Sequence, residues 1–119
     1  MDDKEQDIFR MDVSFITMTP EQRLGQRQER RAARRNWFQG SPASQHRFEL
    51  ADQTAEIWEA CEDAILIVLR RREDDAETRH LLEGLRRAWE ACHYKYTTLE
   101  AAAMADPEFC AAQLAGLHM

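Results

Sequence analysis

Apolar residues repeat at helical spacing over two long segments, residues 44–72 and 75–105. In the first segment the apolar side chains share one face at 100° per residue, and acidic side chains occupy the opposite face. These apolar residues are Leu50, Ile57, Trp58, Cys61, Ile65, Val68 and Leu69. In the second segment the steps alternate between three and four residues, as in a coiled coil; the residues are Leu81, Leu85, Ala88, Trp89, Cys92, Tyr96, Leu99 and Ala103. Two long amphipathic helices are therefore predicted.

The two long helices are separated by only a few residues near Arg72 to Asp75, which favours an antiparallel hairpin. Asp74, followed three residues later by Glu77, is typical of a helix N-terminus. Each helix is ~40 Å long at 1.5 Å per residue, and two helices alone leave much of their apolar stripes uncovered. We therefore expect a homodimer in which two hairpins form a four-helix bundle. The predicted seam comprises Trp58, Ile65, Leu69, Leu81, Leu85, Trp89 and Tyr96.

A shorter helix is predicted over residues 20–38. Thr19 with Gln22 forms a capping box, Pro20 suits the first helical position, and the breaker 39–42 ends the helix. The face of this helix away from its arginines carries only small or polar residues, so we expect it to cover the hairpin poorly. Those residues are Gly25, Ala32, Ala33 and Asn36.

A fourth, short helix is predicted over residues 107–115, started by Asp106-Pro107 and ended by Gly116. Residues 1–18 form an acidic arm that precedes a helical domain over 19–119. In the arm, Phe9, Met11, Val13 and Phe15 alternate with polar residues, which indicates an extended segment. Such a segment pairs with a symmetry mate, pairs with a partner's sheet edge, or lies across the helices. The predicted fold class is all-α.

The composition places the chain among small single-domain proteins. It has 119 residues, and its longest apolar run, Ala64 to Leu69, is much shorter than a membrane span. The acidic N-terminus is unlike a secretory signal. The three cysteines are odd in number and lack CxxC spacing, which favours reduced thiols and a cytoplasmic location.

Charge is sorted into blocks along the chain. Residues 21–38 carry a net charge of +4 within a protein of net charge −6. In a helix, six arginines of this block fall within an arc of ~140°; they are Arg23, Arg27, Arg30, Arg31, Arg34 and Arg35. We call this set the arginine face. It needs an anionic surface, for which there are three candidates: the acidic face of the 44–72 helix in the same chain or a dimer mate, an acidic protein partner, or nucleic acid.

Residues 28–35 with Trp37 resemble the arginine-rich RNA-binding helix of lambdoid phage N antitermination proteins, over about a dozen of the 119 residues. The resemblance implies that four arginines contact the stem of an RNA hairpin and that a terminal aromatic residue stacks on its loop. The implied stem contacts are Arg27, Arg30, Arg31 and Arg34, and the implied stacking residue is Trp37 or Phe38. Planar guanidinium groups suit phosphate, and aromatic rings suit unpaired bases.

Two Glu-x-x-His pairs, Glu77 with His80 and Glu90 with His93, have the spacing used in ferritin-like metal bundles. The two histidines point ~140° apart on one helix, so only one pair can face inward. Glu62 with the second pair, across a dimer, is the remaining metal alternative. We predict no metal, no cofactor and no catalytic residues, and we expect Cys61 and Cys92 to be buried core thiols.

The sequence thus favours a non-enzymatic binding or regulatory protein, comparable to an adaptor, an inhibitor or a phage accessory protein, that acts through protein–protein contacts. RNA or DNA binding through the arginine face is the first alternative. A ferritin-like metal-binding bundle is the second.

Overall fold

The computed structural model of the chain describes residues 14–37 and 40–117, with side chains up to 115. These residues form one 3₁₀ turn and four α-helices, and no β-strand occurs among them. The turn is Ser14–Ile16, and the helices are α1 (Pro20–Arg35), α2 (Pro42–Arg71), α3 (Ala76–Met104) and α4 (Pro107–Leu117). The predicted all-α fold class is therefore confirmed for the described residues.

Helices α2 and α3 form the predicted antiparallel hairpin, and most contacts between helices are made by this pair. Trp58 of α2 packs on Tyr96 of α3, with ring centroids 5.3 Å apart. One turn further along α2, Glu62 bonds to Trp89, which lies two turns earlier on α3. The partner's number falls as the α2 number rises, as an antiparallel pair requires. Arg72, in the left-handed region at φ 54°, ends α2 and begins the short connection.

The start of α1 is formed as predicted. The backbone N–H of Gln22 donates to the Thr19 hydroxyl at 3.1 Å, and the Gln22 side chain accepts from the Thr19 N–H at 2.9 Å. The helix ends at Arg35, three residues before the predicted end, and Asn36 is its C-cap. Phe38, the predicted last residue, lies outside the described residues.

The remaining helix ends differ from the prediction by one or two residues. Helix α2 begins at Pro42, two residues before its predicted start, because the Ser41 hydroxyl accepts the Ser44 N–H at 3.1 Å and caps the helix. The cap of α3 is Asp75 rather than Asp74, since the Asp75 carboxylate accepts the Thr78 N–H at 2.7 Å. Helix α4 continues to Leu117.

The core lies between α2 and α3 and is closed on one side by residues from outside the hairpin. Trp37, just after α1, is 1 % exposed, and its ring centroid lies 5.6 Å from that of Tyr96. Phe15 is also buried and lies 5.6 Å from Trp89, centroid to centroid. The expectation that α1 covers the hairpin poorly was therefore wrong, because α1 brings its arginine face and Trp37, not its small-residue face, to the hairpin.

The extended conformation predicted for residues 9–15 was wrong at its two described positions, Ser14 and Phe15. Phe15 lies in the 3₁₀ turn, which the Thr17 N–H closes on the Ser14 carbonyl at 3.1 Å. The other three apolar positions of that pattern, Phe9, Met11 and Val13, lie outside the described residues.

The predicted seam residues divide into two groups. Trp58, Ile65, Trp89 and Tyr96 are buried in the core of a single chain, and Leu85 packs against that core. Leu69 and Leu81 remain 36 % and 48 % exposed. Most of the seam is therefore used within one hairpin.

Helix α4 is attached through the residue that precedes it. Arg47 Nη1 donates to Asp106 Oδ2 at 3.1 Å, and the Glu108 N–H donates to Asp106 Oδ1 at 2.8 Å. Phe109 packs against the core, whereas Leu114 is exposed. In the described part of the chain, no helix combines the length and the apolar character needed to cross a bilayer.

Truncation of the Trp37 ring tests whether α1 closes the core. We expect Trp37→Ala to lower the free energy of unfolding by about 3 kcal/mol or more, because it leaves a large cavity beside Tyr96. Leu24→Ala is the matched control on α1, since Leu24 is 57 % exposed, and it should cost less than about 0.5 kcal/mol. Urea unfolding followed by circular dichroism measures both. Equal effects of the two variants would contradict this packing.

Acidification should release α4 before it unfolds the hairpin. The backbone N–H of Glu108 and the side chain of Arg47 lower the pKa of Asp106 below its ordinary value. A lowered folded-state pKa stabilises the attachment above the unfolded value of about 3.9, and the stabilisation is lost as the pH falls through the folded value. The pKa of Asp106, measured by carboxyl NMR, should lie below that of an unfolded peptide, and Asp106→Asn should weaken amide protection in α4 at neutral pH. A pKa at the peptide value would contradict this role.

Candidate functional site

The arginine face packs against its own hairpin, and Arg27 makes the most polar contacts along α2. Its Nη2 donates to Asp63 Oδ1 at 2.9 Å and to the Glu59 carbonyl at 3.2 Å, and it lies 3.4 Å from Glu62 Oε1. Burial lowers the pKa of Arg27, but the hydrogen bond to Asp63 and the attraction of the nearby carboxylates outweigh it and raise the pKa overall. Arg27 is thus a fully charged bridge between α1 and α2.

Arg34 is the buried member of the arginine face, with only 2 % of its surface exposed. Its Nε and Nη2 donate to Asp52 Oδ1 at 3.2 and 2.7 Å, and its Nη1 donates to the Tyr96 hydroxyl at 3.4 Å. Burial lowers the pKa of Arg34, and the bonds to Tyr96 and Asp52 more than offset that effect. The pair with Asp52 is therefore buried on the arginine side, whereas the Asp52 side chain is 47 % exposed.

Arg30 lies between these two and contacts aromatic rings. Its Cζ sits 4.0 Å from the centroid of the Trp58 ring and 6.0 Å from that of Tyr96. A guanidinium over an indole face is attracted by the negative quadrupole of the ring. Arg30 therefore shields the rings of Trp58 and Tyr96 from solvent, which a small side chain at this position would not do.

The other three arginines of the face are divided between the turn and the solvent. Arg23 Nη1 donates to the carbonyls of Met18 and Phe15, which ties the 3₁₀ turn to α1. Arg31 and Arg35 are exposed. Four of the six arginines thus hold the fold together.

These contacts decide which anionic surface the arginine face meets in this structure. Among the three candidates, the acidic side of α2 in the same chain occupies Arg27 and Arg34. Of the described residues that the resemblance to phage antitermination proteins assigns to RNA, Arg31 alone is exposed, since Arg27, Arg30, Arg34 and Trp37 face the hairpin. RNA would have to detach α1 to reach them.

Glu62, the carboxylate of the metal alternative, is engaged by protein donors. It is buried, its Oε2 accepts from Trp89 Nε1 at 3.1 Å, and its Oε1 faces Arg27. Glu90, in the same alternative, pairs with Arg86 at 2.8 Å. Within 14–37 and 40–117, no group of three or more His, Cys, Asp or Glu is arranged to hold a metal ion.

Cys61 and Cys92 lie side by side across the hairpin, and both are free thiols. Cys61 is buried and Cys92 half-buried. Burial raises the pKa of both thiols, so the nucleophilic thiolate form is disfavoured.

The side of the hairpin away from α1 is uncovered, and it is mainly apolar, with the exposed Lys95 one turn beyond Ala91 on α3. At 100° per residue, Ile57 and Ala64 lie opposite the α2 positions that contact α1. On this side Ile57 is 57 % exposed and Leu81 48 % exposed, and a Cβ added at Gly84 would meet no atom within 4 Å. We call the following seven residues the open face: Ile57, Ala60, Ala64, Leu81, Gly84, Ala88 and Ala91.

The open face was only partly visible in the sequence. Ile57, Leu81 and Ala88 belong to the predicted apolar stripes, whereas Ala60, Gly84 and Ala91 were not singled out. The small residues that border each apolar stripe on one side could have indicated an uncovered face there. No protein-family model, curated protein or solved structure matches this chain.

Replacement of the buried guanidinium tests how α1 is held. Arg34→Met keeps most of the apolar stem, and we expect it to lower the free energy of unfolding by about 2 kcal/mol, because three hydrogen bonds from a charged donor are lost. Arg31→Met on the exposed side of α1 is the matched control and should change it by less than about 0.5 kcal/mol. A double-mutant cycle with Asp52→Asn, followed by urea unfolding, should give a coupling energy near ~1 kcal/mol. Zero coupling would contradict the pairing.

Proposed function

We propose that this chain is a non-enzymatic binding protein that acts through protein–protein contacts, and that the open face is its contact surface. The observation that carries the proposal is the pair of exposed branched residues, Ile57 and Leu81, beside a row of small apolar residues. Exposed apolar patches on a folded domain usually mark an interaction site.

We propose further that the first occupant of the open face is a second copy of this chain. The face has both large and small residues, so Ile57 and Leu81 of one copy fit over Ala64, Ala88 or Gly84 of the other. A two-fold pairing uses the same patch on both copies. Small residues also let helix axes approach closely, and no charge has to be desolvated at the seven positions.

The size of the open face favours a dimer in equilibrium with its monomer. Residues 81–95 rise ~20 Å along α3 at 1.5 Å per residue, and two neighbouring helices are ~20 Å wide. The patch is thus on the order of 400 Å² per chain, at the weak end of protein–protein interfaces. In the resulting four-helix bundle the α1 helices lie on the two outer sides.

The equilibrium between dimer and monomer would allow regulation, because the monomer exposes the open face to other proteins. A different protein with a matching apolar helix face competes with the second copy for the same seven residues, as adaptors and inhibitors do. The three free cysteines favour a reducing compartment, and we propose that the protein works in the cytoplasm.

A charge placed in the open face tests the proposal. We expect the wild-type protein to rise from 13.9 kDa toward twice that mass with increasing concentration in sedimentation equilibrium. Ala88→Glu should weaken the dimer about 100-fold or more, because a carboxylate desolvated without a partner costs ~3 kcal/mol or more. Ala32→Glu, the same change at an exposed position of α1, is the matched control and should leave the dimer intact.

The same experiment has outcomes that reject the proposal. A wild-type monomer at every attainable concentration means that a second copy does not occupy the open face. A dimer that Ala32→Glu disrupts as strongly as Ala88→Glu means that the contact lies elsewhere. Circular dichroism of both variants checks that the helices remain formed.

A further inference from the structure

A cavity of about 140 Å³ lies on the α1 side of the hairpin, away from the open face. Three aromatic side chains, an imidazole and two charged groups line it: Phe15, Trp58, Trp89, His93, Arg30 and Glu62. Phe15 comes from the 3₁₀ turn and Arg30 from α1, so the cavity exists only because α1 packs on the hairpin.

Two hydrogen-bond donors at this cavity are buried without an acceptor. They are the Trp58 Nε1–H and the Arg30 Nη1 group, and neither atom has a partner in the described part of the chain. Trp58 as a whole is 8 % exposed. Buried donors without partners are rare in folded proteins, and each calls for an acceptor.

The acidic group in the wall is already satisfied. Glu62 accepts from Trp89 Nε1 through one oxygen and faces Arg27 through the other. Arg30, by contrast, contacts aromatic rings and makes no ion pair with a described carboxylate. Glu59 and Arg30 attract each other electrostatically, so the unmet requirement at the cavity is for an acceptor that bonds to both donors.

We infer that this cavity is a binding site for a small oxyanion, such as a carboxylate or an orthophosphate group. A guanidinium N–H and an indole N–H are both donors, and an oxyanion presents several acceptor atoms in a small volume. The enclosed volume suits a small ligand, since nucleotide-sized molecules occupy pockets of ~300 Å³ or more. Arg30 is only partly buried, so it lies where the ligand enters.

The indole N–H signals of the three tryptophans report on this site directly. We expect the Trp58 signal in a ¹⁵N NMR spectrum, assigned by its loss in Trp58→Phe, to move saturably on titration with inorganic phosphate or with acetate. Sodium chloride at equal ionic strength should not reproduce the shift. The Trp37 signal should stay in place, since Trp37 lies at the far end of the aromatic cluster beside Tyr96. If the shift saturates with phosphate but not with acetate, or the reverse, the result identifies which oxyanion the cavity binds.

Two variants separate a built site from general salt effects. Arg30→Gln should weaken binding about tenfold or more, because it removes the charged donor to the anion. Arg31→Gln, one residue away and exposed, should bind as the wild type does. Trp58→Phe keeps a ring under Arg30 and removes only the donor, so it should also weaken binding, as measured by calorimetry, if Arg30→Gln fails to fold.

Three results would overturn the inference. They are a shift of Trp58 that does not saturate, a shift that chloride matches, or an affinity that Arg30→Gln leaves unchanged. In each case the two donors are satisfied by water alone. The test does not depend on the dimer, because the cavity and the open face lie on opposite sides of the hairpin.

Discussion

A guanidinium group can be buried only where acceptors meet its donors, and the position of α1 follows from this constraint at Arg34. Asp52 and the Tyr96 hydroxyl supply those acceptors, one from each helix of the hairpin. All the hydrogen bonds of Arg34 form only when α1, α2 and α3 are packed together, so they fix the position of α1 on the hairpin. Arg27 adds hydrogen bonds to Asp63 and Glu59, both on α2, and the aromatic ring beneath Arg30 fills the space between the two arginines.

The hairpin consequently has two unlike sides. The side under α1 is closed by arginines, Trp37 and Phe15, and it contains polar groups that need partners inside the protein. The other side carries mainly small and branched apolar residues, with Lys95 at its edge. Closing one groove with charged side chains leaves the second groove as the apolar surface available to another molecule. The first side gives rise to the inferred anion site, and the second gives rise to the proposed protein contact.

The hairpin and the helix N-termini could be predicted from the sequence because they depend on local patterns, such as the stripe of α3 or the Thr19 box. The errors of one or two residues at the starts of α2 and α3 arose where two capping residues stood close together. The packing of α1 could not be predicted in the same way. Its charge pattern matched the acidic side of α2, but an RNA or an acidic protein would match it too. What favours the intramolecular contact is the ring of Trp58, over which the Arg30 guanidinium packs at 4.0 Å.

The account rests on α1 lying against the hairpin of its own chain. An isotope-filtered NOE experiment on a mixture of labelled and unlabelled protein tests this most directly, because it separates contacts within a chain from contacts between chains. Proximity of the Trp37 and Tyr96 rings, whose centroids lie 5.6 Å apart, predicts strong NOEs within the labelled chain and none across chains. Absence of these NOEs, or their appearance only between labelled and unlabelled chains, would contradict the account.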